Sequence, residues 1–248
     1  MDSAKIFIGT SGWSYNHWSG LFYPSDLDAR HYLEFYMTRF DCVELNSSFY
    51  HLPFKSTVEG WIRRTPENFK FCLKLSRLIT HQLHLVNTGP PLVKFYNVFE
   101  GLKNRLGPVL IQLPPQMTYE ESLIIDFLDL LKRNCPGYRF AFEVRHKSWL
   151  NDTFFSILSE YKAAFVIADS GNRYPYNESV TTDIVYLRFH GREQLYASDY
   201  GTSILKEYAT KIKQWSEGGK NVWIFFNNDF NGYAVKNAKE LKDILTEF

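Results

Sequence analysis

Little in this sequence offers a shortcut to a function. It has three cysteines, Cys42, Cys72 and Cys135, in 248 residues. They are odd in number, far apart and without a C-x-x-C pair, which argues against a disulfide framework and a zinc ribbon. Neither sign of charge dominates. Lys and Arg number 28 against 27 Asp and Glu, so no overall field draws the chain to nucleic acid or an anionic membrane, although a local patch stays open. No apolar run approaches the roughly 20 residues that span a bilayer. The chain reaches a strand-like run at Ile6 with no basic-then-apolar leader. A reduced, soluble, cytoplasmic protein is expected. Three familiar motifs are also missing. No G-x-G-x-x-G follows the first strand, and Gly9-Thr-Ser-Gly12 is too weak a substitute for a dinucleotide site. There is no H-E-x-x-H ligand pair and no G-x-S-x-G nucleophile elbow.

What the sequence does hold is repetition. Hydrophobic residues make up 45% of the chain, enough for a sizeable core. Eight short segments rich in β-branched and aromatic residues recur: Ile6–Gly9, Cys42–Asn46, Phe69–Leu75, Val109–Leu113, Arg139–Arg145, Ala164–Asp169, Ile184–His190 and Val222–Asn228. Amphipathic patterns over Asp28–Phe40, Tyr119–Asn134, Thr153–Tyr161, Ser203–Trp215 and Tyr233–Glu247 fall between or after them. Thr118 with Glu121 suggests a capping box for the second of these, and Asn151 or Asp152 a cap for the third. Eight units share 248 residues, about 31 each, the size of one strand, helix and two loops. The unit after Asp169 contains Pro175 and little helical pattern. The expected fold is therefore α/β, a TIM-type (β/α)8 barrel forming a single domain over residues 1–248, its helix after strand six short or missing.

Side chains alternate across a strand, so each segment can be split into an outer row under helices and an inner row. Arg139–Arg145 puts Phe140, Phe142 and Val144 outside, and Ala141, Glu143 and Arg145 inside. The same reading turns Glu44, Asn46, Lys74, Gln112, Asp169, Arg188 and His190 inward, and selects Asn228 at the end of strand eight. Polar groups thus gather where the loops after parallel strands build active sites. They could merely pair across the mouth, but six charges hold a ring closed less cheaply than an apolar layer, which favours a ligand or catalytic site. Aromatic residues crowd the loops at the same pole: Trp13, Tyr15, Tyr50, Trp149, Tyr174 and Tyr196 among them. Most such rings are expected to pack loops, with Trp13, Tyr15 and Trp149 chosen for the site.

Several stretches then read together: Gly9-Thr-Ser-Gly-Trp-Ser-Tyr15, Val43-Glu-Leu-Asn-Ser-Ser-Phe-Tyr50, Lys74 with Arg77 and Thr80-His81, Gln112-Leu-Pro-Pro115, Glu143-Val-Arg-His-Lys-Ser-Trp149, Ala168-Asp-Ser170, Arg188-Phe-His-Gly191, and Phe226-Asn-Asn-Asp229 through Asn237. In these the chain resembles the YecE-like domain-of-unknown-function-72 family over nearly its whole length. The resemblance implies a TIM-type barrel, in agreement with the periodicity, and no particular reaction. It marks Trp13, Glu44, Asn46, Tyr50, Lys74, Arg77, Gln112, Glu143, Arg145, Trp149, Asp169, Arg188, His190 and Asn228 as site candidates without roles.

Residue chemistry narrows the reaction. Glu143, Asp169, His190 and His81 could hold a metal for hydrolysis or phosphodiester cleavage, but Lys74, Arg145 and Arg188 in the same ring would repel a divalent cation. We expect no metal and no cofactor. Glu44 and Glu143 could serve a glycosidase only if suitably separated. Lys74 could form a Schiff base if desolvated, although neighbouring carboxylates would favour its ammonium form. The basic members suit a small anionic, phosphorylated or nucleotide-like ligand, with Arg145 and Arg188 as bidentate donors and Lys74 as a point charge. Asn46, Gln112 and Asn228 would orient polar groups, and Glu143 or Asp169 would exchange a proton with His190. A module that binds a nucleic-acid end or flipped base is the alternative, disfavoured by the balanced charge.

Overall fold

The computed structural model describes residues 4–247. Eight parallel strands form the centre: β1 (Ile6–Thr10), β2 (Cys42–Leu45), β3 (Lys70–Leu73), β4 (Val109–Gln112), β5 (Phe140–Glu143), β6 (Ala164–Asp169), β7 (Ile184–Phe189) and β8 (Asn221–Phe226). Six pair in the order β1-β8-β7-β6-β5-β4, and β2 pairs with β3. Single-residue bridges join the two sheets at both seams, Ser11 to Glu44 and Lys74 to Leu110. The sheet therefore curls so that β1 meets β8 on one side and β2 on the other, a TIM-barrel-like arrangement.

Burial follows from the two-residue period. Cys42, Cys72, Leu110, Ala141, Ala164, Val166, Ala168, Tyr186, Trp223 and Phe225 form one compact cluster inside the curl. The alternate residues, such as Val43, Phe71, Ile111, Phe142, Ile167, Leu187 and Ile224, belong to the larger core under the helices. A sheet buried on both faces needs apolar residues at nearly every position, which explains why these segments read as short continuous hydrophobic runs.

The helices are α1 (Tyr32–Tyr36), α2 (Ser47–Tyr50), α3 (Lys55–Arg64), α4 (Gly89–Phe99), α5 (Glu121–Asn134), α6 (Asp152–Glu160), α7 (Thr202–Glu217) and α8 (Tyr233–Thr246). The pattern over Asp28–Phe40 gives only a 3-10 turn and the short α1. Asn151 caps α6, accepting from the Phe154 N–H at 2.9 Å. The expected Thr118–Glu121 box does not form. Helix α5 begins at Glu121 without a side-chain cap, and the Ser148 hydroxyl takes the Tyr119 N–H instead. Helices α3 and α4 fall outside the amphipathic stretches read from the sequence; α4 begins at Gly89 with Pro90 and Pro91 in its first turn, where their missing N–H groups cost nothing. No helix separates β6 from β7 among the described residues. No helix among them is long and apolar enough to cross a membrane.

Close approach of β1 to β2 depends on Gly9. A Cβ there would collide with the Cys42 carbonyl oxygen. Gly9→Ala should therefore cost about 1–3 kcal/mol through overpacking, read as a lower denaturation midpoint in urea. A loss below about 0.5 kcal/mol, the scale of an ordinary surface change, would show that this seam has room to spare.

Candidate functional site

Inner-row residues at the strand ends build a buried ionic cluster. Arg188 leaves β7 and grips Glu44 of β2 with both ends of its fork, Nη2 to Oε1 at 2.6 Å and Nε to Oε2 at 2.9 Å. Its third arm, Nη1, donates to Glu143 Oε2 at 2.5 Å. Ser11 and Tyr186 donate to Glu44 at 2.7 and 2.8 Å, completing that carboxylate's shell. Arg145, just beyond β5, pairs with the other oxygen of Glu143. Glu44 and Glu143 are fully buried and Arg188 is 1% exposed. Two carboxylates and two guanidiniums thus neutralise each other, which is how buried charges become tolerable.

This arrangement decides protonation. Burial opposes charge on Glu143, but Arg145, Arg188 and His190 outweigh it and hold the carboxyl well below the usual range. The anion is therefore the favoured form of Glu143, which the sequence marks as a proton-exchanging candidate. His190 stands beside it, with Nε2 at 3.4 Å from Oε1. Burial lowers the imidazole to about 4, against the opposing pull of Glu143. Lys74 is different. Its Nζ donates to Gln112 Oε1 at 2.9 Å and lies 4.2 Å from the centre of the Phe49 ring. Burial first, then Arg188, lowers this amine to about 7, more than Glu143 and Glu44 raise it. The carboxylates expected to hold it as an ammonium are spent on the arginines.

Not every candidate reaches this cluster. Asp169 was expected inside, but register places it beside Phe189, an outer residue, while Ala168 stands inside next to Arg188. Asp169 instead accepts from Tyr208 of α7 at 2.7 Å and from Arg192 Nε at 2.9 Å. It cannot exchange a proton with His190 or join a metal set there. Asn228 is likewise an outer residue. Its amide donates to the Ser198 carbonyl and to Asn237 of α8, at 2.8 and 2.9 Å, pinning the loop after β7. Asn227 is the inner neighbour and meets His190 Nδ1 at 3.1 Å. Continuing the alternation Trp223, Phe225 would have found it.

Trp149 is fully buried, with its indole N–H on the Met117 carbonyl at 2.7 Å and its ring edge-on to Phe154. It packs a loop and does not line the site. Trp13 meets Trp61 and Phe71 edge-on, again on the helix side. Tyr15 stays at the rim, donating to the Ser11 carbonyl at 2.5 Å; burial raises its hydroxyl, helped by Asp229 and Glu44. Tyr50 and Arg77 are exposed near the Phe49–His81 contact. Asn46 is half-buried, its Oδ1 without a partner among the described residues. The alternation does not single out Tyr174, which the fold brings to 3.4 Å above the Arg145 guanidinium.

The fold and cluster define a TIM-barrel-like α/β protein with a charge-balanced site at the C-terminal ends of its strands. A family model described as "Protein of unknown function DUF72" matches residues 7–248, and the chain belongs to that family. It is 26% identical to the UPF0759 protein YunF of Bacillus subtilis, over 97% of this chain and 94% of that one. It is 34% identical to the UPF0759 protein YecE of Escherichia coli over 57% of this chain and 48% of that one. The crystal structure of a DUF72 family protein (TM1631) from Thermotoga maritima superposes with a TM-score of 0.89 and 30% identity, covering 98% of this chain and 99% of the other.

Proposed function

We propose that the site at the strand ends belongs to a metal-independent enzyme acting on a small phosphorylated or nucleotide-like compound. Arg145 carries this reading. Its Nη2 is committed to Glu143, yet Nε and Nη1 are buried without a hydrogen-bond partner among the described residues. Buried guanidinium donors left unmet are costly; Nε and Nη1 lie on different edges of the group, so each needs its own acceptor, and an anionic oxygen of a ligand would satisfy either one with a charge-assisted hydrogen bond. Tyr174 stacked on the same group adds a cation–π contact that holds the fork in place. Metal independence follows from how the carboxylates are used. Glu44 accepts from Arg188, Ser11 and Tyr186, and Glu143 from Arg188 beside its Arg145 ion pair. Glu143 Oε1 keeps no hydrogen-bond partner among the described residues, but the guanidiniums of Arg145 and Arg188 beside it would repel a cation there. Within the cluster Lys74 takes over the proton-exchanging role, since burial places it near neutrality.

The test is thermal stabilisation and calorimetric titration with inorganic phosphate and a panel of nucleoside and sugar phosphates. Arg145→Ala should weaken binding about 10- to 100-fold, the equivalent of ~1.5–3 kcal/mol for a hydrogen bond to a charged group. Unchanged affinity in that variant, or no stabilisation by any phosphate in the parent, would overturn the reading. A short single-stranded oligonucleotide tests the other class. Binding that falls steeply with salt and vanishes in Arg145→Ala would mark a nucleic-acid module instead.

A further inference from the structure

We propose that Lys74 captures a carbonyl group: the site takes a phosphorylated aldehyde or ketone, holds its anionic end at Arg145, and joins its carbonyl carbon to Lys74 Nζ as an imine. This rests on the anion-binding reading above and names its substrate class. The carrying observation is the isolation of an amine inside an ionic cluster. Glu44 and Glu143 form their ion pairs with Arg188 and Arg145, and no ion pair among the described residues involves Lys74. Nζ has one neutral acceptor, Gln112, and one aromatic face, Phe49. The residue is 9% exposed, largely removed from water. A lysine that served only as a phosphate point charge would be better placed in solvent or against a carboxylate, where it stays protonated.

Groups facing the amine come from every side: Glu44 on β2, Glu143 on β5 and Arg145 just beyond it, Arg188 on β7, and His81 from the turn after β3. The two guanidiniums oppose a third cation and the two carboxylates favour it, while burial disfavours any added charge. The sum places the amine near 7, so a large fraction carries a free lone pair at neutral pH.

The step balances. The neutral Nζ lone pair forms the new C–N bond while the C=O π pair moves to oxygen. The proton shed by nitrogen goes to that oxygen, giving a carbinolamine. A second proton, drawn from solvent, lets the hydroxyl leave as water as the nitrogen lone pair closes the C=N bond. Amine, carbonyl and one proton become a protonated imine and water. The cationic imine is an electron sink for proton loss or carbon–carbon cleavage at the adjacent carbon.

The experiment is reductive trapping of the unmodified protein. It is incubated with glycolaldehyde phosphate or dihydroxyacetone phosphate, reduced with borohydride, and mapped by peptide mass. The adduct should concentrate on Lys74, and dihydroxyacetone without phosphate should label it far less. Between pH 6 and 8 labelling of Lys74 should rise about tenfold and level off, whereas ordinary lysines, titrating near 10.4, should still climb by about tenfold per unit. Lys74→Met, checked for an intact fold by circular dichroism, should bind phosphate and lose the trapped adduct. Phosphate stabilisation without preferential adduct at Lys74 would overturn the imine and leave the anion site standing. Trapping at Lys74 that is indifferent to the phosphate group would overturn the proposed substrate class and the anion-binding reading together, but not the reactive amine.

Discussion

Arg188→Ala should lower the unfolding free energy by about 3–5 kcal/mol, because it strands one buried carboxylate and weakens the pairing of a second. Glu44 suffers most. In the parent both of its oxygens accept from Arg188, and its remaining donors, Ser11 and Tyr186, are neutral. Without the guanidinium, Glu44 would keep a buried charge among neutral donors only, which is the costly arrangement. Glu44→Gln in the same background should recover much of the loss by removing the charge. Urea unfolding of the parent, single and double variants measures all of this. A loss below about 1 kcal/mol, the scale of an exposed pair, would mean that water reaches the cluster freely.

Trp149→Ala should be comparably damaging for an unrelated reason. The ring is fully buried against Phe154 and Tyr119, and its N–H holds the Met117 carbonyl. Removing it should cost about 3–5 kcal/mol, the range for a large aromatic truncated in a core, while phosphate affinity stays unchanged in the protein that remains folded. A ligand-stacking tryptophan would behave in the opposite way, losing affinity with little loss of stability. Urea denaturation and phosphate titration side by side distinguish the two, and a stable variant that no longer binds would return Trp149 to the site.

The strand ends show how far alternation reads. In β5 and β7 the apolar row is unambiguous, so Glu143, Arg145, Arg188 and His190 fall inside by simple counting. In β6 both rows are apolar, Ala164, Val166 and Ala168 against Phe165 and Ile167. Parity then carries no signal, and Asp169 was counted to the wrong face. What separates the rows is size. Small residues stand inside, where the interior is shared with Tyr186, Phe225 and Trp223, and large ones face the helices. Strand β8 repeats the problem at Asn227 and Asn228. The loop rings were harder still, since composition alone cannot distinguish Trp149, turned into a core, from Tyr174, turned onto Arg145.

The sequence by itself determined the eight strands, their parallel order under helices, and the charged residues at their C-terminal ends. Those are consequences of local periodicity, which a chain carries in linear form. Only the tertiary structure decided which charges pair. Arg188 is 144 residues from Glu44 and takes the carboxylates that sequence reasoning had assigned to Lys74. Partner choice depends on distances across the curled sheet, and burial multiplies the energy of each choice, so the protonation of Lys74 and Glu143 exists only once the ring has closed.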